Sequence, residues 1–341
     1  MTTLVTGATG FVGSHIARRL VTSGESVRAL ARPESRRQAL EGTAVEWAKG
    51  DLRDEASLDR ALAGVNCVYH VAADYRLWSR HPREIYDSNV TGTRNLLAAA
   101  LRARVQWFVY TSTVATIAVP RGDALPDETN RASVDEMIGN YKRSKLLAEQ
   151  EALRAAHEGL PVVIVNPTTP VGPGDWKPTP TGRIILDFLL GRMPAYVDTG
   201  LNFVSVEDVA EGHLLAAQRG KIGERYLLGG RNMTLKELLD ALARITGLAA
   251  PAKRIPHWLA LIAACAETGY SRVMGREPRI PIEGVRIARH RMFVNDAKAR
   301  KELGYQPGAV EAALERAVRW YVENGYVTLP KRAPVAQTST A

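Results

Sequence analysis

Through its first half the chain alternates short, almost wholly apolar runs with longer stretches in which apolar positions recur every three or four residues. The short runs cover residues 4–6, 26–31, 45–49, 67–71, 107–111 and 162–165. Mostly apolar, with the charged positions Arg28, Glu46 and Lys49 confined to the second and third, they predict the strands of a largely buried sheet. Residues 12–22, 55–63, 86–102 and 134–157 carry the helical period between them. Repeated strand–helix units predict a parallel sheet covered on both sides, and the right-handed crossover rule makes it doubly wound. A seventh strand over 226–228 joins it later. After Pro167 the pattern breaks, because Pro170, Pro173, Pro178, Pro180 and nearby glycines turn residues 168–182 into an irregular loop. Residues 203–210 then return to the sheet and lead into a helix that Ser205 can cap. Several helical patterns follow between residues 232 and 325. The fold expected is α/β: a doubly wound parallel sheet over 1–166 with 203–230, and a smaller, mainly helical lobe over 167–202 with 231–330. Residues 331–341, rich in Pro, Ser, Thr and Ala, are expected to be a disordered tail.

Composition limits the function classes more than it names one. At 341 residues the chain can bury a large core. Its first strand is expected to begin within three residues of Met1, so no secretory signal is expected. No apolar run reaches the roughly eighteen residues of a membrane span. The cytoplasm is therefore the expected location. Cys67 and Cys265 stand in apolar surroundings and read as buried free thiols. Seven histidines without ligand spacing predict no metal site. The net charge of +9 raises the question of nucleic acid. The arginines are scattered, however, and no recognition helix accompanies them, so a solvated basic surface suited to anionic cofactors is expected instead.

Chemistry enters at residues 3–13, Thr-Leu-Val-Thr-Gly-Ala-Thr-Gly-Phe-Val-Gly. Gly7, Gly10 and Gly13 sit between a strand and a helix, where backbone must turn sharply, approach a ligand or pack closely. The N-terminus of that helix would face a pyrophosphate, which predicts a dinucleotide site. At the end of the second strand an acidic residue would select NAD and an arginine would accommodate a 2′-phosphate. This chain places Arg32 there, followed by Arg36 and Arg37, which predicts NADP(H). Two alternatives stand beside it: Glu34 taking the acidic role for NAD(H), or arginines that merely coat a helix. Asp51 and Leu52, after the third strand, are placed beside the adenine.

Tyr141-Lys-Arg-Ser-Lys145 lies in a helical pattern, so Tyr141 and Lys145 project to one side about a turn apart. A neighbouring ammonium and an oxidised nicotinamide would pull the phenol below its ordinary value near 10 and fit it for proton transfer. Hydroxyls at Thr111-Ser-Thr113 end the fifth strand, at the edge where open α/β sheets bind ligands. Glycine turn, strand-end hydroxyls and Tyr-x-x-x-Lys occur in that order.

On these motifs the chain resembles the extended short-chain dehydrogenase/reductases, the superfamily of Rossmann-fold NAD-dependent epimerase/dehydratases and dihydroflavonol-reductase-like enzymes. Residues 70–78, 141–145, 166–170 and 177–183 are similar, more narrowly, to the hopanoid-associated sugar epimerase family. The resemblance implies that Thr113 stands for the active hydroxyl, with Tyr141 as acid/base and Lys145 as its electrostatic partner. It implies that Phe11 and Val12 offer N–H groups to the pyrophosphate, Ala72 and Ala73 line the adenosine side, and Pro167 packs on the nicotinamide amide. It further implies that Asn89 supports the site from a neighbouring helix, that His70 is a packed strand-end residue, and that the protein is a homodimer.

Substrate is expected to meet residues 74–78, 116–131, 168–183 and the helices after Gly230, with Tyr75, Trp78, Thr168 and Lys177 as candidates. Residues 292–298 and 302–307 resemble the structural end of the superfamily, but no clear arginine pattern of the nucleotide-sugar enzymes accompanies them. Residues 253–265 join a basic flank to an apolar helix bearing Trp258; core, dimer contact and lipid contact at the inner membrane are the three readings. The activity expected is hydride transfer between NADP(H) and a carbonyl or carbinol carbon of a sugar-like or hopanoid-linked small molecule. The alternative is a sugar epimerase that keeps its NAD(P) bound and passes through a transient ketone.

Overall fold

The computed structural model describes residues 1–119, 124–274, 276, 278 and 281–329. The tail expected to be disordered, 331–341, lies outside the described residues. In chain order the elements are β1 (Thr2–Thr6), α1 (Phe11–Thr22), β2 (Ser26–Ala31), β3 (Glu46–Lys49), α2 (Glu55–Leu62), β4 (Cys67–His70), α3 (Arg83–Tyr86), α4 (Gly92–Arg102), β5 (Trp107–Thr111) and α5 (Gly139–His157). They continue as β6 (Val162–Pro167), β7 (Thr169–Val171), α6 (Pro180–Leu189), β8 (Gly200–Ser205), α7 (Val206–Arg219), β9 (Arg225–Leu228), β10 (Arg231–Thr234) and α8 (Leu235–Thr246). The chain ends through α9 (His257–Val273), α10 (Ile282–Ile287), α11 (Ala297–Leu303) and α12 (Val310–Glu323).

Seven parallel strands form the main sheet in the order β3-β2-β1-β4-β5-β6-β9. Successive side chains point to opposite faces. Leu4, Val68, Phe108, Tyr110, Val162 and Ile164 therefore enter one core with α2, α4 and α5. Val5, Tyr69, Val109, Val163 and Val165 enter the other with α1, α7 and α11. Full burial of each such side chain contributes about 1.5–3 kcal/mol, which is why these runs tolerate no polar alternation. The strand order reverses between β1 and β4, and ligands of open α/β sheets bind at such a reversal, outside the carboxyl ends.

A second, three-stranded sheet, β10-β8-β7, packs with α6, α8 and α12 around its own core. Residues 203–205 belong here and not to the main sheet, since Phe203 pairs with Thr169 and Arg231. Burial periodicity predicts a strand but cannot say which sheet receives it. Ser205 does cap α7, accepting from the Glu207 N–H. The run 134–157 is not one helix. Ser133 and Glu136 close a capping box on a single 3₁₀ turn, and Gly139 at φ +85° interrupts the right-handed path before α5 begins in earnest. Asn89 lies in a π turn, Asp87–Thr91, that joins α3 to α4. Cys67 is half-buried and Cys265 is exposed, so the expectation of two buried thiols fails. The apolar neighbours that suggested a core around Cys265 face outward themselves.

Candidate active site

The glycine turn links β1 to α1. Gly7 has φ +67°, and a Cβ there would stand 2.7 Å from the Ala72 nitrogen. A Cβ on Gly13 would stand 2.2 Å from the Gly7 carbonyl oxygen. Both positions therefore exclude any side chain. Gly10 caps α1 without a side-chain bond, and no acidic residue occupies its first turn, where Phe11 and Val12 begin the helix. Such a helix end offers N–H groups and a positive dipole to an anion, and the cradle fits a dinucleotide pyrophosphate.

Beside it, the ends of β4 and β5 meet α5. The Thr113 hydroxyl stands beside the Tyr141 phenol. Thr113 Oγ1 accepts from the Ala115 N–H at 3.2 Å, which leaves its own proton to donate. Burial raises the Tyr141 phenol above its ordinary value, opposed by the Thr113 bond. Lys145, one turn along, is buried and does not supply the lowering expected from sequence. Its ammonium instead donates to Tyr110 Oη at 3.0 Å and to the Thr111 carbonyl at 2.8 Å. Burial lowers Lys145 to about 7, with Glu149 pulling the other way.

A buried chain of hydrogen bonds connects this ammonium to the glycine turn. Thr6 Oγ1 accepts from the N–H groups of Val71 and Ala72 at 3.1 and 3.2 Å. Its single proton must then go to His70 Nδ1, 2.8 Å away. His70 Nε2 accordingly carries the ring proton toward Thr93 at 2.9 Å, and Thr93 bonds Tyr110. Burial holds His70 down at about 3, so it is neutral, a packed strand-end residue as expected.

Behind Thr113 sits a buried carboxylate. Glu149, 2% exposed, accepts from Ser112 Oγ, from Thr116 Oγ1 at 2.9 Å, from Asn166 Nδ2 at 3.0 Å and from Arg225 Nη1 at 3.0 Å. Arg225 also donates to the Glu128 carbonyl, and Glu128 accepts from the Leu227 N–H at 2.7 Å. Thr116, Asn166 and Glu149 together hold the turn that presents Thr113, since Asn166 and Thr116 also donate to the Thr113 carbonyl. Asn89 supports the other flank, receiving from the Asp74 N–H at 2.7 Å and donating to Ser144 Oγ at 2.9 Å.

A model of the NAD-dependent epimerase/dehydratase family matches residues 3–229. The chain belongs to this family. It is 47% identical over 327 residues to a putative dihydroflavonol 4-reductase of Synechocystis sp., covering 95% of each chain. It is 39% identical over 330 residues to sterol demethylase protein B of Methylococcus capsulatus, covering 96% of this chain and 100% of that one. A 4-hydroxy-2-methyl-3-oxo-4-farnesyl-3,4-dihydroquinoline-1-oxide ketoreductase of Stigmatella aurantiaca is 33% identical over 341 residues, covering 98% of this chain and 100% of the other. The protein is therefore an enzyme of the extended short-chain dehydrogenase/reductase type, with relatives named as reductases.

Arg32 follows the end of β2, exposed and 3.2 Å from Glu34. Arg36 is exposed, whereas Arg37 stacks 4.6 Å over the Trp47 ring. Asp51 is gripped by Arg53 through two bonds of 2.9 and 2.7 Å, which lower its carboxyl to about 2. Leu52 packs on Gly92, and Ala73 follows Ala72 beside the glycine turn. Pro167 is buried at the end of β6, opposite Leu228.

The substrate candidates divide. Tyr75 Oη reaches the Lys177 carbonyl at 3.4 Å, which joins the 74–78 loop to the proline-rich loop. Trp78 is half-buried and the Lys177 side chain is exposed. Thr168 turns its N–H and hydroxyl back to the Leu228 carbonyl at 3.2 and 3.3 Å. Among the described residues no group of three metal-ligating side chains forms, and no helix is long and apolar enough to cross a membrane. Sequence reasoning passed over Tyr110 and Glu149. The only signal for Glu149 was its place four residues beyond Lys145, on the same face as Tyr141.

Proposed function

We propose that this enzyme reduces a ketone on a bulky, apolar substrate, of hopanoid type or prenylated, with NADPH as reductant. The observation that carries the proposal is the hydroxyl pair Thr113–Tyr141 at the carboxyl edge of the sheet, with Lys145 one turn beyond on the same helix face. A carbonyl oxygen placed between the two hydroxyls gains two donors. Thr113 Oγ1 already accepts from the Ala115 N–H, so its hydroxyl proton is what it has to offer, and that proton turns from Tyr141 to the carbonyl oxygen. In the reduction, the bound nicotinamide supplies hydride to the carbonyl carbon. Tyr141 gives its proton to the carbonyl oxygen, and the carbon becomes a carbinol. The phenolate left behind keeps the Thr113 hydroxyl as its hydrogen-bond donor, with Lys145 one turn along the same helix face. Gly7, Gly10, Phe11, Val12 and Gly13 hold the pyrophosphate, Asp51, Leu52, Ala72 and Ala73 the adenosine side, and Pro167 the nicotinamide end.

Arg32 and Arg36 at the end of β2 support the phosphorylated cofactor, since both are exposed where a 2′-phosphate would lie. The apolar substrate is supported by two relatives whose names refer to a sterol and to a farnesylated quinoline. Tyr75, Trp78 and Lys177 would face it. The homodimer expected from the family resemblance is part of the same reading. Epimerisation is the second reading, favoured by the family whose model matches. Incubation with NADPH and prenylated or polycyclic ketones separates the two. Stoichiometric consumption of NADPH is expected, with Arg32→Ala weakening NADPH about tenfold or more and NADH little. Turnover without cofactor consumption contradicts the reductase, and equal effects on both cofactors contradict the role of Arg32.

A further inference from the structure

The helix α9 turns its apolar side outward. Trp258, Leu259, Ile262, Ala266, Gly269 and Tyr270 fall on one arc at helical spacing, and all are exposed. Trp258 is 64% exposed and Ile262 57%. Glu267, the only acidic residue of the helix, lies off that arc and is half-buried. Basic residues stand at both ends: Lys253 and Arg254 before the helix, Arg272 and Arg276 at its far end, all exposed. Residues 251–291 hold eight of the chain's Lys and Arg against three Asp and Glu, so this short stretch supplies more than half of the net charge of +9.

The arc is joined to the active site through α10, against which α9 packs. A Cβ on Gly139, two residues before Tyr141, would stand 3.2 Å from Glu283 Cγ of α10. On the other side, a Cβ on Gly284 would stand 4.0 Å from Leu77 Cδ1, in the loop that carries Tyr75 and Trp78. α10 thus touches both the start of the catalytic helix and that loop, and α9 packs on α10.

We propose that the exposed arc of α9 is a docking surface for an anionic bilayer, with Trp258, Leu259 and Ile262 entering the headgroup boundary and the basic ends meeting lipid phosphates. An apolar stripe with cationic ends is the pattern of an interfacial helix. A second copy of the chain is the less suitable occupant, because a two-fold contact would bring the same cationic stretch against itself. Docking by this arc places α10 and the 74–78 loop next to the leaflet, so a lipid ketone passes to Tyr141 without crossing water. That last step rests on the proposed substrate; the docking does not.

The test is flotation of the full chain with phosphatidylcholine vesicles, with and without phosphatidylglycerol. The protein is expected to float with the anionic vesicles only, and to be released by salt. Trp258→Ser with Ile262→Ser is expected to lower the partition about tenfold or more, and Lys253→Glu with Arg272→Glu to do likewise. Unchanged melting and NADPH binding establish that these variants fold. Sedimentation of wild type away from every vesicle, equal binding to both compositions, or variants that float like wild type overturn the proposal. A wild-type dimer that Trp258→Ser with Ile262→Ser converts to monomer assigns the arc to a second copy, and also overturns it. Flotation without turnover of any lipid ketone leaves the docking standing and removes the substrate reading.

Discussion

The carboxyl edge of the main sheet and the α9–α10 pair handle burial in opposite ways. At the sheet edge, Thr6, His70, Tyr110, Lys145 and Glu149 are polar and almost fully buried, and each has a named partner. On α9, Trp258, Ile262 and Tyr270 are apolar and largely exposed. Buried polar groups are tolerated only with their bonds made, so the first region has one geometry available to it. Exposed apolar groups gain nothing from water, so the second region is built for something outside the chain. Chemistry and substrate access are thereby assigned to different parts of one fold.

Mutations that strike the buried carboxylate should show the larger effect. Glu149→Ala strands the Arg225 guanidinium in the core and is expected to cost about 3–5 kcal/mol of stability, read from urea midpoints. Pairing it with Arg225→Met should restore much of the loss, because the uncompensated charge is then gone. A loss no larger in Glu149→Ala than in the double variant would show that the stranded Arg225 charge is not what destabilises the single variant. Trp258→Ser, by contrast, is expected to change stability by no more than about 0.5 kcal/mol.

Acid sharpens the same contrast with smaller steps. Burial holds His70 at about 3 and His213 at about 4, both below the ordinary histidine value. The folded chain therefore binds fewer protons there than the unfolded one, and stability falls as pH drops from about 6.5 toward 4, by about 1.4 kcal/mol per unit for each ring. Asp175, in the core of the second sheet, is raised by burial to about 6 and has the opposite sign. It takes up a proton on folding between its ordinary value and 6, and offsets about one of the two rings. Asp175→Asn should steepen the loss between pH 6 and pH 4 by about 1 kcal/mol per unit. Parallel curves for variant and wild type would remove Asp175 from this balance.

Much of the first region was readable before any coordinates. Short apolar-rich runs gave the strands, and the glycine spacing placed the turn, because those requirements are local. Tyr110 and Glu149 were not readable. The buried strand around Tyr110 was expected, but nothing in it names Lys145 as its partner, and a glutamate in a charged helix looks like a surface residue until packing closes over it. Gly139 was missed because the Ser133–Glu136 capping box imitates a helix start while the positive φ that stops it leaves no trace in the pattern. Cys265 was misplaced for the converse reason: apolar neighbours imply a core only when something covers them, and on α9 those neighbours are themselves exposed.

The central claim is that Tyr141 protonates a carbonyl oxygen while its carbon accepts hydride. Single-turnover transfer of deuterium from the reduced cofactor to product tests it most directly, in wild type and in Tyr141→Phe. Wild type is expected to place one deuterium on the new carbinol carbon, and the phenylalanine variant to do so about 10²–10⁴-fold more slowly with cofactor affinity unchanged. Equal rates in the two proteins, or product without deuterium at that carbon, would contradict the account.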